Sequence, residues 1–180
     1  MAKLINKKTL IWVTILGVVG VLFGGSVNVL AEGDYGAQGA KEVENYTLED
    51  MLIYAIQDEY LARAEYELIM EEYGEQRPFS NIIEAEEYHI ELLKPLFEKY
   101  NIEIPADTSE KHVVVAESLE TAFKTGVQAE IDNIGMYEKF LEKDLTDDVK
   151  NVFEKLMRGS ENHLTAFEQG LERPNNGKNQ

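Results

Sequence analysis

From Thr47 onward the apolar residues recur at spacings of three and four, the period of helices that bury one stripe. Four segments carry this pattern. The first runs from Thr47 to Tyr73, with Thr47 and Asp50 as a capping pair and Gly74 as its stop. The second spans about Phe79 to Tyr100 and the third about Ser118 to Asp144. The fourth begins after Thr146, carries Asp147 and Asp148 in its first turn, and ends near Glu172 before Pro174. Pro95 removes a backbone hydrogen bond inside the second segment and predicts a kink or an early end there.

A strict three-four grid exposes an anomaly. The first seam reads Leu52, Ala55, Glu59, Ala62, Tyr66, Ile69, Tyr73, and the second Phe79, Ile82, Glu86, His89, Leu93, Leu96, Tyr100. The third reads Leu119, Phe123, Gly126, Glu130, Asn133, Tyr137, Phe140, and the fourth Val149, Phe153, Leu156, Ser160, His163, Phe167. Each is apolar at its ends and polar in its middle.

Burying those middles is costly. An unpaired carboxylate in a bundle core costs several kcal/mol or takes up a proton. A divalent cation removes the conflict, because carboxylates ligate as anions and imidazoles as neutral donors. Glu86-x-x-His89 sets a carboxylate and an imidazole on one helical face, where both reach a common centre. Two readings without metal stand beside this one: a surface ion pair for Glu86 and His89, and a fully hydrogen-bonded polar layer. Antiparallel packing brings Glu130 level with Ser160 and His163, whereas Glu59 fits Glu86 less tidily. The stretch Asn101 to Glu117, when extended, reaches about 40 Å, a bundle's length, and so reads as a long crossover.

Before the helices lies a different kind of sequence. Lys3, Lys7 and Lys8 precede an apolar run, Leu10 to Phe23, and small residues lead to Ala31. Residues 1–31 therefore read as a secretory signal, or else an uncleaved anchor that would be the sole membrane contact, and the remainder as secreted or extracytoplasmic. Glycine-rich 32–46 reads as a flexible tether, 47–173 as the bundle, and 174–180 as a disordered tail. The absence of cysteine excludes disulfides, thiolate metal sites and a cysteine nucleophile. A net charge of −17 over 180 residues excludes nucleic acid as a partner and favours small cations. Ser160 and His163 share a helical face, but nothing suggests the oxyanion hole that a hydrolase needs.

Glu59-Tyr60-Leu61-Ala62-Arg63 with Tyr66, and Glu86-Glu87-Tyr88-His89, resemble the first- and second-helix motifs of small rubrerythrin-like bundles of the ferritin-like superfamily. Arg158-Gly159-Ser160-Glu161-Asn162-His163-Leu164 with Phe167 further resembles a family of short exported bundles known as a domain of unknown function. The resemblance implies an all-α, ferritin-like four-helix bundle with a long crossover between its second and third helices. It also implies a two-metal site of Glu59, Glu86, His89, Glu130 and His163, holding iron, with manganese or zinc as alternatives, and reacting with dioxygen or peroxide. A homodimer is compatible with it. The chain departs from the pattern at Ser160, where the fourth helix should carry a glutamate; water, Glu161 or another acid could fill the gap, or one metal could be lost.

The remaining polar residues have plainer readings. Tyr66 and Tyr137 read as core tyrosines with satisfied hydroxyls, or else as donors near the metals. Arg63 reads as a partner for a ligand carboxylate or for Asp58 and its neighbours, and His112 as a surface residue. Glu71, Glu72 and Glu75 read as a solvated bundle end. Gly126, which costs about 1 kcal/mol against alanine in mid-helix, reads as close packing or space for a ligand. No internal repeat is evident.

Overall fold

A computed structural model describes residues 35–172. The signal segment 1–31 and the tail 174–180 lie outside the described residues. Among the described residues the regular structure is wholly helical: α1 (Gly36–Lys41), α2 (Leu48–Tyr73), α3 (Phe79–Tyr100), α4 (Leu119–Leu141) and α5 (Asp147–Glu172), with a 3-10 turn at Ser109–Lys111.

Local chemistry explains where these helices start and stop. The Thr47 hydroxyl accepts from Asp50 N–H at 3.1 Å while Asp50 accepts from Thr47 N–H at 2.8 Å, a reciprocal cap that frees neither end of the first turn. Gly74 closes α2 with φ 75°, a conformation that glycine enters without strain. Ser118 caps α4 by accepting from Thr121 N–H. Pro95 does not end α3, which continues to Tyr100. The proline and Glu91, whose carbonyl loses its partner, are both exposed, so water can satisfy the missing bond while Leu93, Leu96 and Phe97 anchor the turn.

Side-chain contacts set the helix directions. Glu59 meets Tyr137 and Tyr66 meets Glu130, so α2 and α4 run antiparallel. Glu59 meets His89 while Tyr66 meets Phe79, so α2 and α3 also run antiparallel. Phe140 meets Phe153 at one end of the α4–α5 hairpin and Phe123 meets Phe167 at the other. Hence α3 and α4 point the same way, and the connection 101–118 returns the chain along the bundle.

The apolar core divides in two. One cluster gathers Leu52, Ile56, Leu93, Phe97, Tyr137, Phe140, Phe153 and Leu156. The other gathers Tyr66, Ile69, Phe79, Ile82, Phe123 and Phe167. The polar middles of the four seams lie between them.

The tether expected at 32–46 is corrected where it is described, from Tyr35 on. Ala37 and Ala40 of α1 are buried in the first cluster, and α1 packs on α2 and α4. Small residues that suggested flexibility instead permit close approach: Gly36 has φ 58°, and a Cβ there would lie 2.6 Å from Asp58 Oδ1.

Candidate metal centre

Five ionisable side chains from four helices converge between the clusters: Glu59 of α2, Glu86 and His89 of α3, Glu130 of α4 and His163 of α5, none more than 7% exposed. His89 Nδ1 lies 3.1 Å from both Glu59 Oε2 and Glu86 Oε2. His163 Nδ1 lies 3.1 Å from Glu86 Oε1 and 3.4 Å from Glu130 Oε1. Glu86 thus offers one oxygen to each of two groups, Glu59–Glu86–His89 and Glu86–Glu130–His163. The imidazoles lie near one another, with ring centroids 5.8 Å apart.

The donor set fits cations. In each group, one nitrogen and two carboxylate oxygens lie within 4.8 Å of one another. Donors bonded at about 2.0–2.1 Å to one ion and about 90–110° apart would be separated by about 2.9–3.4 Å, which the nitrogen–oxygen spacings of 3.1 and 3.4 Å match. His163 Nδ1 is buried without a well-formed hydrogen bond, although Glu86 and Glu130 stand close to it. A buried donor left so is expensive, and a cation bound to the deprotonated nitrogen would remove that cost.

Without an ion the layer is held by protons. Burial works to lower the pKa of His89, but Glu59 and Glu86 outweigh it and raise it to about 10. His163 is likewise opposed by burial and raised to about 10 by Glu130 and Glu86. For Glu86 burial works upward, yet the two histidines hold it down at about 2. Burial, joined by repulsion from Glu86, lifts Glu59 to about 8, and burial also raises Glu130. A cation entering here replaces protons.

The surroundings hold these groups in place. Tyr137 donates to Glu59 Oε1 at 2.9 Å, and Tyr66 donates to Glu130 Oε1 at 3.0 Å. Burial raises both phenols well above their ordinary range, so they remain donors. They are core tyrosines with satisfied hydroxyls, and the groups that satisfy them are the layer's own carboxylates. Both stand seven residues after a glutamate of their own helix, a spacing visible in the sequence.

Ser160 donates to Asn133 Oδ1 at 2.7 Å, and Asn133 Nδ2 donates to Asp58 Oδ2. Asp58 Oδ1 in turn accepts from Ala37 N–H of α1 at 2.7 Å. Burial raises Asp58 to about 6 against the pull of Asn133 and Ala37. Glu161 is exposed and does not stand in for the absent acid. A cleft of about 10 Å³, enough for about one water, is lined by residues that include Ser160, Asn133, Glu86 and Glu130.

Gly159 of α5 is part of the site although its lack of a side chain hides it. A Cβ there would stand 2.6 Å from His89 Nε2. Gly126 reflects close packing, since its Cβ would lie 3.0 Å from the Phe167 ring.

Two other expectations need correction. Arg63 pairs with neither Glu59 nor Asp58 but with Asp107 of the long connection, at 2.6 Å. His112 is half-buried, stacked on Tyr35 with centroids 4.3 Å apart. Both follow from the long connection packing back on the bundle, on α2 at Arg63 and on the start of α1 at Tyr35, which local sequence does not encode.

Residues 48–179 match the family described as "Uncharacterized protein domain (DUF2202)". The chain is 34% identical over 131 residues to the uncharacterized protein MJ0754 of Methanocaldococcus jannaschii, covering 64% of this chain and 70% of that one. It is also similar to a solved structure, that of hypothetical protein MJ0754 from Methanococcus jannaschii, with a TM-score of 0.62 and 30% identity over 72% of this chain and 85% of the other.

Proposed function

The chain belongs to the DUF2202 family, and from that premise we propose that it is a ferritin-like metal-binding protein whose Glu59, Glu86, His89, Glu130 and His163 hold two ions for reaction with dioxygen or peroxide. Iron is the first choice of metal, with manganese or zinc as alternatives. One observation carries the reading: the two oxygens of Glu86 face two separate groups, each with its own histidine and its own further glutamate. The parallel course of α3 and α4, with the connection between them, supports the ferritin-like topology. The signal-like residues 1–31 support export.

Bound iron would supply electrons and Lewis acidity. The chain's residues supply the setting. Tyr137 and Tyr66 fix Glu59 and Glu130 by hydrogen bonds, and His89 and His163 release protons to become neutral donors. The apolar clusters above and below keep bulk water out. The cleft beside Ser160 has room for one small oxygen species of about a water's size.

The test is elemental analysis of chelator-stripped, reloaded protein, followed by iron(II) oxidation under air or peroxide. The reading expects about two ions per chain, loss of binding in Glu86→Ala, and oxidation faster than in buffer. Absence of metal uptake would overturn it. The narrowness of the cleft favours a second reading, metal binding without turnover. Tight zinc or manganese uptake with no accelerated iron oxidation would select that one.

A further inference from the structure

The two helical hairpins repeat one another around the polar layer, a correspondence too dispersed to stand out in the sequence. Glu59 and Tyr66 on α2 match Glu130 and Tyr137 on α4, and each tyrosine donates to the other helix's glutamate. His89 on α3 matches His163 on α5, each between two carboxylates. The match fails at two places. Glu86 is answered by Ser160, and Ala62, three residues after Glu59, is answered by Asn133, three residues after Glu130.

These failures compensate each other. One hairpin has a long acid with a small neighbour, and the other a short alcohol with a long amide. Ser160 and Asn133 are bonded to each other at 2.7 Å and both are at most 5% exposed, so the amide fills space that a fourth carboxylate would occupy. Their polarity is fixed from outside. An ionised Asp58 only accepts, so Asn133 turns its NH₂ toward Asp58 and its oxygen toward Ser160, which must donate. Ser160 therefore presents neutral lone pairs to the cleft. Asp58, held by Asn133 and Ala37 N–H, keeps its negative charge and lines the same cleft.

Resting on the proposed metal centre, we infer that the Ser160–Asn133 pair sets its charge preference, making it a site for divalent rather than trivalent cations. Three ligand carboxylates with Asp58 beside them, and two neutral imidazoles, leave two divalent ions compensated. Two trivalent ions would leave much more positive charge in a buried layer, where such charge is poorly screened. A fourth carboxylate at position 160 would shift the balance toward the higher charge.

The experiment uses two ions without redox chemistry, zinc(II) and gallium(III) supplied as citrate complex, in competition for the chelator-stripped full chain. Bound metal is read by elemental analysis and fold retention by circular dichroism. Wild type should take about two zinc ions and little gallium. N133A/S160E should lower the preference for zinc by about tenfold or more. N133A/S160Q, with equal space and no added charge, should keep the wild-type preference. Ser160→Asp carries the comparison should the glutamate variant fail to fold. Equal preference in the glutamate and glutamine variants, or gallium uptake by wild type as strong as by N133A/S160E, would overturn the inference while leaving the metal centre intact. Failure of wild type to bind zinc would instead remove the metal centre itself, and this inference with it.

Discussion

Gly159 of α5 lies against the imidazole of His89 on α3, so close that a Cβ would stand 2.6 Å from Nε2. The ring is thereby wedged between the backbone of one helix and the carboxylates of two others. Gly159→Ala should displace His89, lowering zinc affinity by about tenfold or more and destabilising the fold by about 1–3 kcal/mol. Zinc titration and urea unfolding measure the two effects. Wild-type values in both would show that the ring is held elsewhere.

Tyr66 and Tyr137 each leave a buried carboxylate oxygen unpartnered when their hydroxyl is removed. Tyr137→Phe and Tyr66→Phe should each destabilise the metal-free protein by about 1–3 kcal/mol. Metal affinity should fall as well, because the loosened glutamates lose their orientation. Chemical denaturation with and without zinc tests both statements.

On the proposed reading protons and metal compete for the same layer, so pH separates the two states. His89 and His163 have folded values near 10, raised from 6.5, so their contribution is fully present below about 6.5 and is lost as pH climbs through 10. Glu59, raised from 4.5 to about 8, adds a loss of the same sign between those limits. Glu86, lowered to about 2, acts oppositely and only in acid, below its ordinary value of 4.5. The melting temperature of the metal-free protein should therefore fall steadily from pH 6 to pH 10. Zinc should abolish most of that slope, and loading near neutral pH should release protons into weak buffer. A flat profile without metal would contradict the proton-held layer.

Asp58 ties α1 to the bundle through Ala37 N–H and reaches Ser160 through Asn133. Asp58→Ala should speed hydrogen exchange at Ala37 and expose 35–46 to protease, with a loss of about 1–3 kcal/mol. Unchanged exchange would mean that the burial of Ala37 and Ala40 holds α1 without this bond.

Arg63 offers a contrast. Its pair with Asp107 is partly exposed, and such pairs are worth about 0–1 kcal/mol. Arg63→Ala should leave both unfolding and zinc uptake near wild type, whereas a large loss of uptake would place the guanidinium in the centre's electrostatics.

The four long helices and their polar interruptions were legible because a three-four period and a buried charge are local facts: Glu86 and His89 share a face whatever surrounds them. The same locality made 32–46 look like a tether, since glycine-rich composition reports what the backbone can do and not what it packs against. The partition of Glu86 between two groups, the crossed Tyr66–Glu130 and Tyr137–Glu59 bonds, and the space that Gly159 leaves for His89 join residues from different helices. Periodicity determined which side chains face inward. Only helix direction and axial register decided which of them meet, because those depend on how four apolar stripes close on one another rather than on any one stripe.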